Sequence, residues 1–368
     1  MKMKLTYERF LIGKGTQKHV PINASLELLP LCNMNCAMCY IRLNKSEMEK
    51  QGRLLTGDEW LNIGKQMQKA GTLFVVITGG EPLLYPEFKK VYLGLKKLGM
   101  IITINTNGTL IDEKWADFFQ KNLPRRINIT LYGGNEKTYQ DLCHYPGGFE
   151  KAINAIKLLR KRNVDVKMNG SLVKANQDNL EEIIKIAHDL KVPLNVDTYM
   201  YPAVRERNKP FNQQLRLSPE EAAKAKQIFN RSKMTSEEYY NLALQTVSLY
   251  EQTEEGEEVP GKMQCQAGKT SFTVNWQGFI RPCVMLTNPA ISLLETDFDV
   301  AWDKLSEGIN QINLSCKCSA CKMRLVCETC AASALLETGD YQNVPDYLCH
   351  YTKKTLELFK EYLKEYKK

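Results

Sequence analysis

The stretch Leu31–Tyr40 reads LCNMNCAMCY and sets Cys32, Cys36 and Cys39 within one short loop-sized segment. The chain opens MKMKLTYERFLIGKG, which lacks the uninterrupted apolar core of a signal peptide. Without an oxidising compartment, clustered thiols point to metal binding or catalysis rather than disulfides. A structural zinc site takes four ligands, and the next candidates, Cys143 and His144, lie far downstream. The spacing Cys-x3-Cys-x2-Cys instead lets one loop hold three corners of a [4Fe-4S] cube, thiolate being the usual ligand of such clusters. The fourth iron then has no ligand from the protein.

Outward from this stretch, residues 24 to about 200 alternate short apolar or β-branched runs with amphipathic ones. The strand candidates are ASLELLPL, TLFVVITGG, MIITINTNG, RINITLYGG, VDVKMNGSLV and PLNVDTYMY. Helix candidates lie between them, starting at cap-type residues such as Thr56 and Asp112 or at Pro86-Glu87. Such alternation needs parallel strands joined by crossover helices, in an open doubly wound sheet or in a complete or partial TIM-type barrel. The unusual residues gather where strands end: the three cysteines, TGGEP, NTNG, LYGG, NGSL and DTYMYP. In βα barrels that rim carries the chemistry, which favours the barrel.

The composition of the 368 residues is globular, with 43% hydrophobic and 25% charged residues. No apolar run reaches the roughly 18 residues of a membrane span, and a cytoplasmic location is expected. The net charge of +8 is spread over helix-like faces, without the aromatic-interleaved basic stripe of a nucleic-acid binder. Twelve cysteines are the anomaly: three at 32–39, Cys143, and eight between 265 and 349. Past residue 206 the βα pattern stops. LSPEEAAKAKQIFNR and TSEEYYNLALQTVSLYEQ read as helices, TEEGEEVPGK as a mobile acidic linker, SFTVNWQGFIRPC as a hairpin turning at Gln277-Gly278, and TKKTLELFKEYLKEYKK as a polar terminal helix.

The cysteine trio directly after a first strand, with Gly79, Gly80, Glu81 and Pro82 ending the second, resembles the radical S-adenosylmethionine (radical SAM) enzymes. The resemblance implies a partial (β/α)6 barrel. It further implies a [4Fe-4S] cluster whose open iron binds the amino and carboxylate groups of SAM, and reductive cleavage to a 5′-deoxyadenosyl radical that abstracts a substrate hydrogen. On this reading the GGEP backbone and carboxylate meet the SAM ammonium, with glycines allowing close approach. Asn105, Thr106 and Asn107 face its ribose or methionine portion, and Ser171 adds a polar contact. The residue before the third cysteine is often aromatic in the family. Here it is Met38, followed by Tyr40, so either one is placed against the adenine.

The later cysteines resemble the SPASM extension of radical SAM enzymes, which carries two auxiliary [4Fe-4S] clusters. Cys265 and Cys283 bracket Gly278, and Cys318-x2-Cys321-x5-Cys327-x2-Cys330 and Cys349 follow. The last spacing is one residue shorter than is usual in the family. The resemblance implies Cys318, Cys321, Cys327 and Cys349 around an outer cluster, and Cys265, Cys283 and Cys330 around an inner one. The inner cluster then keeps an open iron or recruits Cys316. Taken alone, the pairs 318/321 and 327/330 would also suit zinc.

The expected organisation is an N-terminal extension (1–23), barrel core (24–206), helical bridging region (207–262), auxiliary-cluster domain (263–350) and terminal helix (351–368). The resemblance implies an oxidoreductase-type maturase that crosslinks, epimerises or oxidises a ribosomally made peptide or a protein, fed by a flavodoxin- or ferredoxin-type donor. A small-molecule dehydrogenase and an electron-transfer protein without SAM chemistry are the rivals. Only 31 residues precede Cys32, fewer than the roughly 80 of a leader-recognition domain. Recognition is therefore expected from the barrel mouth, residues 206–262 or a separate leader-binding partner. Tyr132, Asp197 and Tyr199 at strand ends are candidates for proton transfer, and Arg205 for holding a carboxylate. Cys143 is either a buried small hydrophobe or a hydrogen-atom donor at the barrel mouth.

Overall fold

The computed structural model describes residues 7–201 and 215–366. Six parallel strands, β1 (Asn23–Glu27), β2 (Phe74–Thr78), β3 (Ile101–Thr106), β4 (Arg126–Thr130), β5 (Val166–Ser171) and β6 (Leu194–Asp197), pair in sequence order. Consecutive parallel strands need a crossover, and helices fill each connection. The sheet is the partial (β/α)6 barrel expected, because β6 forms one edge and does not return to β1.

Alternation along the strands explains which face is which. Leu26, Ile77, Ile104, Ile129 and Met168 are fully buried in the core under the helices. Residues of opposite parity, such as Thr78, Asn105, Thr130, Asn169 and Ser171, line a central cavity. Polar residues are therefore on the inner face of the sheet because that face is not packed against a helix.

Several helix starts follow their capping residues. Thr56 and Glu59 form a reciprocal capping box on Gly57–Lys69, and the Asp112 side chain accepts from the Trp115 N–H on Glu113–Lys121. Ser218 and Thr235 cap Pro219–Lys233 and Ser236–Gln252 in the same way. Helices Tyr7–Lys18, Lys45–Gln51, Glu136–Cys143 and Phe298–Asn310 add to those expected.

Three features differ from expectation. Strand β7 (Ser271–Val274) pairs in parallel with β1, and β8 (Phe279–Arg281) and β9 (Ile291–Ser292) continue antiparallel, so the hairpin extends the barrel sheet rather than starting a separate one. The terminal helix runs Asp346–Tyr366 and includes Cys349. Its apolar side packs on the two preceding long helices, with Tyr351 beside Leu217 and Phe229, and Phe359 on Tyr239. The acidic run expected to be mobile is pinned along the cysteine-rich segment. Gly256 N–H donates to the Ala320 carbonyl at 2.9 Å, Arg324 donates to the Glu254 carbonyl at 2.6 Å, and Gly261 bridges Leu314. Its backbone groups find partners there even though its side chains face water. Among the described residues no helix is long and apolar enough to cross a membrane.

Candidate functional site

A cavity of about 720 Å³ lies at the C-terminal ends of the strands. Cys32, Cys36 and Cys39 line it together with Met38, Tyr40, Gly79, Gly80, Asn105, Thr106, Asn107, Ser171, Asp197 and Tyr199. Cys283, from the segment after β8, lines the same cavity. The strand-end clustering read from the sequence thus becomes one enclosure, and the C-terminal part of the chain supplies part of its wall.

The cysteine loop is held from two sides. Asn35 and Ala37 donate backbone N–H bonds to the Cys143 and Leu142 carbonyls at 2.9 and 3.0 Å. Across the loop, Asn107 Nδ2 donates to Asn33 Oδ1 at 2.9 Å and approaches Cys32 Sγ at 3.7 Å, while Asn33 Nδ2 donates to Thr109 Oγ1 at 2.8 Å. Backbone N–H groups of Met34 and Arg42 point at the sulfurs of Cys32 and Cys39. Burial pushes the Cys32 thiol up to about 12, against the Met34 N–H, and the nearby Glu81, Cys36 and Cys39 raise it further. Crowded thiols, one buried and two half-buried with N–H donors, fit a positively charged metal core, whose charge favours their ionised form. The three residues therefore suit an iron–sulfur cluster. Among the described residues no three His, Cys, Asp or Glu side chains are grouped as a site for a single metal ion.

Within GGEP, Gly79 and Gly80 line the cavity and also pack against the stem of the cysteine loop. A Cβ on Gly80 would overlap the Leu31 carbonyl, and one on Gly79, at φ +140°, the Leu29 carbonyl. Gly80 and Glu81 donate N–H bonds to Leu29 and Leu31 at 2.7 and 2.9 Å. The glycines therefore bring the end of β2 against the stem of the cysteine loop. The Glu81 carboxylate is fully buried and accepts from Thr106 Oγ1, Asn107 N and Leu83 N at 2.8, 2.8 and 3.0 Å. It ties β2 to NTNG, and neither it nor Pro82 is in the cavity lining. Burial, opposed by these three donors, raises its pKa to about 7.

The C-terminal cysteines come together in two groups. Burial raises Cys349 to about 11, and the nearby Cys327, Cys318 and Cys321 add to the rise. Cys283 is raised by burial, with Cys330 and Cys265 contributing. Cys316 neighbours Cys318, and its thiol faces Glu258 Oε2 at 3.9 Å. Both groups have the soft sulfur donors that suit iron–sulfur clusters.

Of the proposed proton-transfer residues, Tyr132 lines the cavity, and burial holds its phenol well above its ordinary range, so it stays protonated. Asp197 accepts from Asn195 Nδ2 at 3.1 Å. The Tyr199 hydroxyl is directed at Glu337 Oε1, 2.8 Å away. Cys143, weighed above as a donor at the mouth, is fully buried in the core and absent from the lining. Arg205 lies outside the described residues. Sequence reading missed Asn176, which is buried and donates to the Tyr132 and Ser171 carbonyls at 2.9 and 3.0 Å. It also missed Lys226 and Glu328, charged groups lining the cavity from distant segments. Nothing within a few residues of Lys226 or Glu328 links either to a site.

Residues 26–190 match the family model for the Radical SAM superfamily. That stretch, a little under half of the chain, is similar to Radical SAM domains. An AdoMet-dependent heme synthase of Methanosarcina barkeri is 24% identical over 342 residues, 87% of this chain and 94% of that one. The fold resembles Streptococcus suis SuiB bound to precursor peptide SuiA, with a TM-score of 0.69 at 17% identity over 93% of this chain and 80% of that one. It also resembles anSMEcpe with bound AdoMet, with a TM-score of 0.70 at 17% identity over 94% of each chain.

Proposed function

We propose that Cys32, Cys36 and Cys39 hold the [4Fe-4S] cluster and that the chain abstracts a hydrogen from an unactivated C–H bond of a peptide or protein, leading to a crosslink, an epimer or an oxidised residue. When bound, the cluster and SAM supply a 5′-deoxyadenosyl radical. The observation that carries this reading is the single cavity shared by the cysteine loop, the polar strand ends and Cys283. Gly79, Gly80 and the NTNG backbone offer polar main-chain groups to SAM, Met38 or Tyr40 offers a surface for its adenine, and Ser171 and Asn105 offer side-chain contacts. Tyr132 keeps its proton and acts as a hydrogen-bond donor, and Asp197 accepts a proton at the rim. Auxiliary clusters on Cys318, Cys321, Cys327 and Cys349, and on Cys265, Cys283 and Cys330, would take the second electron or hold substrate. An electron donor of flavodoxin or ferredoxin type, a separate leader-binding protein and a cytoplasmic setting complete the proposal.

A second reading, a small-molecule substrate such as a heme precursor, is favoured by the nearly full-length match to a heme synthase. Anaerobic reconstitution with SAM and dithionite tests both. The first reading expects 5′-deoxyadenosine formation to rise with candidate precursor peptides and mass-shifted peptide to appear. A rise only with porphyrin-type compounds favours the second, and no 5′-deoxyadenosine under any condition overturns both.

A further inference from the structure

The segment leaving β6 touches the auxiliary half twice, both times on one element. Helix Ala331–Thr338 follows Cys330, its N-cap, and carries Glu337 as its penultimate residue. Tyr199 donates to Glu337 Oε1 at 2.8 Å, and Tyr201 Oη lies 3.8 Å from Cys330 Sγ. Glu337 is itself gripped by Arg216 at 2.7 and 3.0 Å, in an ion pair whose side chains are 9% and 7% exposed. The Arg216 guanidinium lies 4.1 Å from the Tyr347 ring centre and also donates to the Met200 carbonyl. The rings of Tyr199 and Tyr201 pack edge to face at 5.0 Å. Tyr201 is thus fixed in place by its neighbours as well as by its own contact.

We infer that Tyr201 is a positioning residue for the inner auxiliary centre: its hydroxyl donates to the Cys330 sulfur and raises the reduction potential of the cluster that sulfur would ligate. The inference rests on the reading that Cys265, Cys283 and Cys330 hold such a cluster. A metal-bound thiolate carries no proton, so in this pair the phenol is the donor. Hydrogen bonds to cluster sulfurs stabilise the added electron and move the potential upward. The Ser333 N–H donates to the same sulfur at 3.4 Å, and Tyr201 adds a side-chain donor to this backbone one. Tyr201 also lines the central cavity beside Cys283, so the residue adjusting the cluster stands at the wall where substrate would lie.

The test is an EPR-monitored redox titration of the reconstituted full chain, with iron content and thermal midpoint measured alongside. Tyr201→Phe keeps the ring and removes the donor. It is expected to retain iron and thermal stability and to shift one cluster signal, and only one, to more negative potential. Cys330→Ala is expected to remove that same signal. If Cys330→Ala loses the signal while Tyr201→Phe titrates like the parent, the inference is overturned and the cluster reading stands. If Tyr201→Phe loses iron or shifts every signal, Tyr201 is merely structural and the inference also fails. If Cys330→Ala keeps every signal and all its iron, the cluster reading falls and takes the inference with it.

Discussion

The N-terminal cysteine loop and the C-terminal cysteine field use the same side chain in opposite ways. In the loop, three thiols come from eight consecutive residues, and the barrel rim orients them through the Leu142 and Cys143 carbonyls on one side and Asn107 with Asn33 on the other. In the field, Cys349 on the terminal helix meets Cys318, Cys321 and Cys327, and Cys265, before β7, meets Cys283 and Cys330. The loop is a local motif that the barrel rim holds in place, whereas the field exists only once a hairpin, two short helices and a long terminal helix have docked. A local site tolerates change elsewhere, and an assembled one depends on every segment that builds it.

The largest effect expected is from Cys36→Ala. It removes one of the three proposed ligands of the loop and should abolish 5′-deoxyadenosine formation, with iron falling by about four per chain. Cys349→Ala should also lose about four irons, from the outer centre, but leave SAM cleavage measurable. If Cys349→Ala were as inactive in SAM cleavage as Cys36→Ala, the two regions would not be separable, and the comparison would fail.

Glu81 gives a pH test of the loop's foundation. Its folded pKa of about 7 lies above the ordinary 4.5, so between these values the unfolded chain has lost the proton while the native chain keeps it. Stability relative to Glu81→Gln should therefore fall as pH rises from 4.5 to about 7 and level off above, by about 3 kcal/mol at most. Chemical denaturation of the apo protein across pH 4–9 reads this directly, and a difference that grows with pH would sink it.

Asn107→Ala strips the partners of Asn33 Oδ1 and of the Thr109 N–H and hydroxyl. It should cost about 1–3 kcal/mol in denaturation and loosen the loop enough to raise the KM for SAM. Cys143→Ala should have the smallest effect, about 1 kcal/mol of stability with unchanged product. Loss of product at full SAM cleavage would restore the reading of Cys143 as a hydrogen-atom donor.

Much of the barrel was legible because its signals are local. Alternating side chains expose strands, and Thr56, Asp112, Ser218 and Thr235 mark helix starts through bonds to their own next turn. The roles within GGEP were less so. The sequence suggests a carboxylate facing the cofactor, but Glu81 is spent on Thr106 and Asn107, partners some 25 residues away that only strand pairing brings near. Asn176, Lys226 and Glu328 escaped for the same reason, since nothing within a few residues of them signals a cavity.

By itself, the sequence determined the βα repeat, the rim on which the chemistry gathers and the three-thiol loop, because periodicity, capping and Cys-x3-Cys-x2-Cys spacing each act within about one or two turns of chain. Only the tertiary structure decided that the late hairpin pairs with β1, that Cys349 comes from a long helix to join its partners, and that Tyr199 and Tyr201 anchor to the helix of Cys330. Such contacts join residues well separated along the chain, and their selection depends on shape, burial and the pairing of polar groups across the whole fold.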